Sequence, residues 1–316
     1  MLSNRYGFVV RRLASLVPLL LGILLVVMLL LALTPGDPAR LVLGPRATQD
    51  EVAQAREQLG IDQPLWVRYF AYLAGALHGD LGQSFKTGRS VSAQIFEQLP
   101  ITLLLAGVAV LMAIVISVPL AVLAARSNGG VADHAVRGFN VLGIGLPPFW
   151  LAIMLITYVA LPTGWFPVAG FGQTPAENLR SIFLPALVVA IAISPPMIRS
   201  LRTTIRGLQT TEYVLAGRTL GFTGFGLTRR FVLRNALPPL ITVTAVQASY
   251  ALFGTVIVEV AFSLPGMGQG LVTAAGARDY PLVQGYTLVF ALLIVLVFLL
   301  ADILTAVIDP RVRISA

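Results

Sequence analysis

The stretch "TTEYVLAGRTLGFTGFGLTRRFVLRNALPPL", residues 210–240, gathers Arg218, Arg229, Arg230 and Arg234 in a chain that is 57% hydrophobic. Gly217, Gly221, Gly224 and Gly226 punctuate it, and Pro238 and Pro239 close it. An uncharged apolar run, 181–198, precedes it, and it passes into another, 235–258. A basic, glycine-rich connection between two such runs reads as the polar link between buried segments. The rest of the chain decides what buries them.

Only 11% of the residues are charged and the mean hydropathy is +0.85. A soluble domain of this length needs far more charge to cover its surface, so the composition places the chain in a membrane. A hydrocarbon core of about 30 Å takes about 20 helical residues. Six stretches meet or approach that length: 13–33, 99–125, 139–166, 181–198, 235–258 and 281–301. The expected fold class is therefore all-α, an integral membrane protein with six transmembrane helices. The third stretch is long enough to include an external turn at "LPTGWFPVAGFG". The fourth carries Pro185, Pro195 and Pro196, which bend or break a helix. Proline is tolerated in a span where neighbouring protein satisfies the freed carbonyls. This helix is thus expected to face other helices or a cavity and to run on past Arg199, with Pro195 and Pro196 as path candidates. The first stretch has a basic start, but it is too long for a typical leader core and ends in "LTPGDPA", so it reads as a retained span.

With the N-terminus inside, the inner segments hold fourteen arginines and the outer segments seven arginines and Lys86. The positive-inside rule then puts both termini and residues 210–240 in the cytoplasm. The net charge of +8 is explained by topology, and no nucleic-acid partner is implied. Cysteine is absent, which excludes disulfides, thiol catalysis and thiolate metal sites. His78 and His134 fall in different predicted loops, so no metal site is expected. No phosphate-binding G-x-x-x-x-G-K-[ST] occurs, nor G-x-S-x-G, nor H-E-x-x-H, so the chain carries no visible means of hydrolysing ATP. Glu259 and Asp302 fall near the ends of the fifth and sixth stretches, where a charge costs less than at mid-bilayer. Capping or pairing at the interface is the expected role of each.

Residues 34–98 are the one long polar segment. Thr48 and Glu51 have the spacing of a capping box. The helix they start is expected to stop at Gly60, and a second, begun by Pro64, to end before Gly79. The segment reads as a packing element on the outer face or as a contact for an external partner.

"EYVLAGRTLGF" followed by "RRFVLRNALPPLIT" resembles the coupling loop of type I ABC importer permeases in its dipeptide and oligopeptide branch. Three further stretches agree in collinear order. "VRRLASLVPLLLGILLVVMLLLALTPGDPA" with "LGIDQPLWVRYFAYLAGALHGDLGQSF" is similar to the start of that branch's first permease subunit. "VEVAFSLPGMGQGLVTAAGARDYPLVQG" resembles its segment between spans five and six, and "ADILTAVIDPRVR" its C-terminal ending. The general permease motif carries Glu-Ala-Ala where this chain reads Leu215-Ala216-Gly217, and Glu212 stands earlier, as in the peptide branch.

The resemblance implies an N-terminal tail and span over 1–34, an external helical segment over 35–96 and a five-span core over 97–309. A coupling loop over 206–237 and a tail over 310–316 complete the division. It assigns Glu212, Tyr213, Ala216, Gly217, Arg218, Gly221, Phe222, Arg230 and Arg234 to contact with an ATPase. Glu212 to Leu220 would form a short helix with Gly221 as its stop, Phe222 and the stem of Arg218 entering a groove on the ATPase. Gly217 would loosen that helix, and Pro238-Pro239 would start span five. As positive-inside anchors alone, Arg229, Arg230 and Arg234 need no such partner. Between spans five and six, Glu259, Phe262, Pro265, Gly266, Asp279, Tyr280 and Pro281 become candidates for an external gate or docking surface, with "SLPGMGQG" as a turn. The implied partners are a homologous second permease, two cytoplasmic ATPases or one fused ATPase, an external substrate-binding protein and the bilayer of a bacterial inner membrane. ATP and Mg would be bound by the partners, with no cofactor in this chain. Short peptides are the implied cargo. Glutathione, nickel complexes, haem and opine-like compounds are alternatives, and an ion-coupled carrier and an intramembrane enzyme are the readings from other classes.

Overall fold

The computed structural model describes residues 3–34, 37–44, 46–127 and 129–308, so the expected tail 310–316 lies outside the described residues. Among them every regular element is helical apart from a single bridge between Gln83 and Ser90. The chain divides into two compact units, Met1–Thr102 with Pro265–Val295, and Leu103–Leu264 with Leu296–Ala316.

The first unit holds α1 (Ser3–Leu33), α2 (Pro38–Leu43), α3 (Gln49–Gln58), α4 (Leu65–Leu77), the start of α5 (Val91–Ser127), α13 (Met267–Ala277) and most of α14 (Tyr280–Ile308). The capping box at α3 forms as its spacing predicts: the Glu51 amide donates to the Thr48 hydroxyl, and the Thr48 amide donates to the Glu51 carboxylate. That backbone bond holds the Glu51 carboxyl below the usual range. Gly60 and Gly79 follow α3 and α4 with φ of 62° and 79°, the left-handed turn other residues resist. The Tyr69 hydroxyl ties α4 to α1 through the Leu21 carbonyl, 3.1 Å away.

"SLPGMGQG" departs from the expected turn, because Gly268 and Gly270 lie inside α13. A Cβ on Gly270 would stand 2.6 Å from the Tyr286 hydroxyl. Close approach to a neighbouring helix thus outweighs the poor helix propensity of glycine.

The second unit holds the rest of α5, then α6 (Val131–Gly145), α7 (Pro148–Leu155), a π-helical stretch (Ile156–Ala160) and α8 (Leu161–Thr163). After these come α9 (Pro175–Gln209), α10 (Glu212–Thr219), α11 (Gly224–Leu227), a second π-helical stretch (Thr228–Leu233) and α12 (Arg234–Ala261). Its axis is α9. Thr174 and Glu177 form a capping box with Pro175 at the first helical position, and the helix runs unbroken through Pro185, Pro195 and Pro196 to Gln209. At 1.5 Å per residue its 35 residues span about 52 Å, well beyond a hydrocarbon core. Its apolar window is 72% buried, which fits prolines whose freed carbonyls are shielded by protein. Pro195 and Pro196 therefore do not break the helix. One core packs α9 against α5, α7 and α12 around Leu105, Ile182, Val189 and Met197. A second surrounds Ile198, Leu201 and Ile205 near its end.

Among the described residues four helices are long and apolar enough to cross a membrane: Val91–Ser127, Pro175–Gln209, Thr228–Ala261 and Tyr280–Thr305. The first expected stretch lies on α1. The third differs from expectation, because α6 and the helix from Pro148 to Thr163 meet at 102°. Pro147 lacks an amide hydrogen and drives Leu146 out of the helical region (ψ 119°), so the break falls at "GLPPF". The fifth differs too. Helix begins at Gly224 and continues through the π-helical stretch, which leaves Pro238 and Pro239 inside the span.

Candidate functional site

Residues 206–237 fold as two stems and a crosspiece. The α9 stem ends at Thr210, and α10 turns away with Glu212 in its first turn and Arg218 in its last, each placed as the helix dipole favours. Helix α10 ends in a Schellman motif: the Phe222 amide donates to the Gly217 carbonyl at 3.1 Å, and the Gly221 amide to the Arg218 carbonyl at 3.0 Å. Gly221 takes the left-handed position with φ 85°, the role its place in the sequence predicts.

Val214 and Gly217, three residues apart, form the buried face of α10. A Cβ on Gly217 would lie 3.1 Å from Leu227 Cδ1 and 3.3 Å from the Phe231 ring. Besides its cost to the helix, Gly217 has a packing role, because it lets α10 seat closely on the return stem. Phe222, expected in a groove on the ATPase, is half-buried. Its ring packs inward, 5.3 Å from that of Phe231, with the Arg230 guanidinium 5.3 Å from its centre. The apolar groups left open on the crosspiece are Tyr213, Leu215, Ala216 and Leu220, the last 74% exposed. Glu212 and Arg218 are exposed on the same helix, and Arg229 and Arg234 are exposed on the return stem.

Both stems are gripped by the adjacent ends of α5 and α6. Arg126, at the end of α5, donates to the Gly224 carbonyl at 2.6 Å and the Thr228 hydroxyl at 2.7 Å, holding the return stem. Asp133, in the first turn of α6, is fully buried and holds the α9 stem. Arg202 binds it through two nitrogens at 2.8 Å, Arg137 adds a bond at 2.8 Å and Arg206 one at 3.4 Å. Arg206 also donates to the Ala124 carbonyl. A buried carboxylate is tolerable only when paired in this way. The pattern was visible in the sequence only as Asp133 and Arg137 at helical spacing, since Arg202 and Arg206 read there as topology charges.

Higher on α9, a cavity of about 560 Å³ opens beside the α6–α7 break, lined by Gly143, Leu146, Pro196, Arg199, Gln247 and Tyr250 among others. Of the two path candidates Pro196 lines it. Pro195 instead backs onto Gly143, where an added Cβ would lie 2.8 Å from its ring.

The gate candidates divide between the two units. In the second unit, Glu259 and Phe262 are buried at the end of α12. In the first, Pro265 is exposed, Gly266 caps α13 and is buried, and Pro281 is half-buried. Tyr280 is buried against Phe85. Asp279 is buried and accepts from the Ser84 hydroxyl and from the amides of Phe85 and Lys86 at 3.1 and 3.2 Å. Its role is to fasten the 83–90 loop. Replacing Asp279 with alanine leaves those donors unpaired, at a cost of about 1–3 kcal/mol. Hydrogen exchange is expected to lose protection at residues 84–86 while α4 keeps its own.

Residues 117–314 match the family of binding-protein-dependent transport system inner membrane components, and residues 5–106 match the N-terminal family of the same membrane components. A Brucella abortus (strain 2308) protein named for a peptide transport system permease is 36% identical over 97% of this chain and 99% of its own. The oligopeptide transport system permease protein AppB of Bacillus subtilis (strain 168) is 33% identical over the same shares. The glutathione transport system permease protein GsiC of Salmonella typhi is also 33% identical, over 97% and 99%. Among solved structures, an inward-facing MetNI methionine ABC transporter chain superposes with a TM-score of 0.54 at 17% identity, covering 68% of this chain and 96% of that one. The last shows a shared fold.

Proposed function

This chain belongs to the family of binding-protein-dependent transport system inner membrane components, as a permease of the peptide branch of type I ABC importers, and from that premise we propose that it forms half of an ATP-driven path for short peptides. The observation that carries the coupling role is α10: a short helix seated by Gly217, ended by Gly221, fastened at both stems and open on an apolar face. Glu212, Tyr213, Ala216, Arg218 and Leu220 contact an ATPase subunit, while Phe222, Arg230 and Gly217 hold the helix in place. Closure of the ATPases on ATP presses on α10, and α9 and α12 carry the displacement to the path. Both termini and the α10 turn face the cytoplasm, and residues 35–96 face outward, where a substrate-binding protein delivers cargo. A homologous second permease supplies the other half of the path. ATP and Mg are bound by the ATPases, and this chain catalyses no covalent change.

The test is reconstitution of the permease pair, ATPases and binding protein in proteoliposomes with radiolabelled di- to pentapeptides. Uptake is expected to require ATP and the binding protein and to persist with ion gradients collapsed. Uptake driven by a gradient without ATP would overturn the reading. Glutathione is the competing cargo that one relative's name points to, and saturating glutathione tests it by competition.

A further inference from the structure

The 560 Å³ cavity beside α9 carries three polar side chains that the coupling role does not use. Gln247 lies on α12 with only 7% of its surface exposed, lines the cavity, and finds no hydrogen-bond partner among the described residues. A buried amide is normally satisfied, and one left open toward a cavity is prepared for a ligand. Arg199 lies on α9 at the same cavity. Its guanidinium is exposed and makes no ion pair or hydrogen bond among the described residues, whereas Arg202 and Arg206, further along the same helix, both bind Asp133. Tyr250 stands three residues after Gln247, on the same side of α12, and is 62% exposed. The rest of the lining is apolar or glycine, and no Asp or Glu belongs to it.

These groups describe the ligand. A carboxamide donates and accepts at once, so it complements any peptide bond whatever the side chains beside it. A free guanidinium pairs with a carboxylate in two-point geometry. The absence of acids disfavours an ammonium group, so an anionic end is the one received. Apolar walls and an aromatic ring accept side chains without selecting among them. Resting on the peptide-import reading above, we propose that this cavity is a station for the passing peptide: Arg199 pairs with its C-terminal carboxylate, Gln247 bonds a main-chain amide, and Tyr250 covers the adjoining residue. Cargo is thereby recognised by what all peptides share.

The experiment compares uptake of a labelled tripeptide with its C-terminally amidated form by the reconstituted importer. The ratio of the two is read for wild type, Arg199→Gln and Gln247→Leu, so that discrimination by the binding protein cancels. Arg199→Gln is expected to lower the acid-to-amide ratio about tenfold, as removal of one charged contact does. Gln247→Leu is expected to lower uptake of both forms and leave the ratio unchanged. Wild-type ratios and rates in both variants would overturn the proposal, whereas absence of any peptide uptake by wild type would overturn the peptide-import reading itself. An effect of Arg199→Gln that vanishes in vesicles of purely zwitterionic lipid would assign Arg199 to anionic headgroups and overturn it also. A photoreactive benzoylphenylalanine at position 250 gives a readout that does not depend on the Arg199 variant folding. Labelling by the radioactive peptide during turnover is expected, with competition by excess free acid but not by the amide. No labelling, or equal competition by both, would count against the station.

Discussion

Replacing Asp133 with leucine is expected to abolish coupled uptake while the ATPases continue to hydrolyse ATP. The carboxylate is buried among Arg137, Arg202 and Arg206, and leucine keeps its branching but is larger and carries no charge. Three guanidinium groups would then repel one another across the junction of α6 with the α9 stem. Their side chains are 56%, 21% and 32% exposed, so they can swing into water. The expected result is therefore an opened junction in a folded protein. Helix α10 could still meet an ATPase, but its displacement would be taken up in the loosened stem. The ATP hydrolysed per peptide imported is expected to rise by about tenfold or more, as when an interaction used during turnover is lost. Asp133→Asn keeps an acceptor and should fall between. If Asp133 acts through Arg202, adding Arg202→Met to Asp133→Leu should make little further difference. Fully additive losses, or normal coupling in Asp133→Leu, would refute the role.

What was legible in the sequence was what local chemistry determines. The apolar stretches, the Thr48–Glu51 box and the stop at Gly221 each depend on residues within a few positions. The features missed depend on distant neighbours. Asp133 meets Arg202 and Arg206 from another helix, and only Arg137 stands close in sequence. Gly217 and Gly270 look like weak points by propensity, yet at Gly270 another element comes too close for a side chain and at Gly217 one leaves little room. Pro238 and Pro239 looked like a helix start because proline suits that position. The helix instead begins at Gly224 and passes through a π-helical turn over Thr228–Leu233, and nothing in the local sequence signals it. The break at Leu146–Pro147 was readable in principle, but a long uncharged stretch hid it behind the simpler picture of one span. The cavity draws Arg199 and Gln247 from α9 and α12, so only packing brings them together.

Gly221→Val is expected to lower ATP-driven uptake by about 5–30-fold, because a left-handed β-branched residue costs roughly 1–2 kcal/mol or more. The cost is conformational. A Cβ at Gly221 would meet no atom within 4 Å, so the branch point itself has room, and φ of 85° is the main obstacle. Relief of that strain would undo the bonds from the Phe222 and Gly221 amides and draw Phe222 away from Phe231 and Arg230. Helix α10 would then lose the fixed angle at which its open face is presented. Because α9 and α12 pack on each other independently of this turn, insertion and pairing with the second permease are expected to survive, while copurification of the ATPase weakens. A graded series separates conformation from size: uptake should fall in the order glycine, asparagine, alanine, valine, since asparagine tolerates the left-handed region better than alanine despite its bulk. Adding Glu212→Ala removes the favourable charge at the start of α10 and should deepen the loss. A valine variant that assembles with its ATPases and imports at the normal rate would remove α10 from the coupling path. An order that follows side-chain volume would mean that Gly221 is a point of contact with the ATPase and that its backbone angle is incidental.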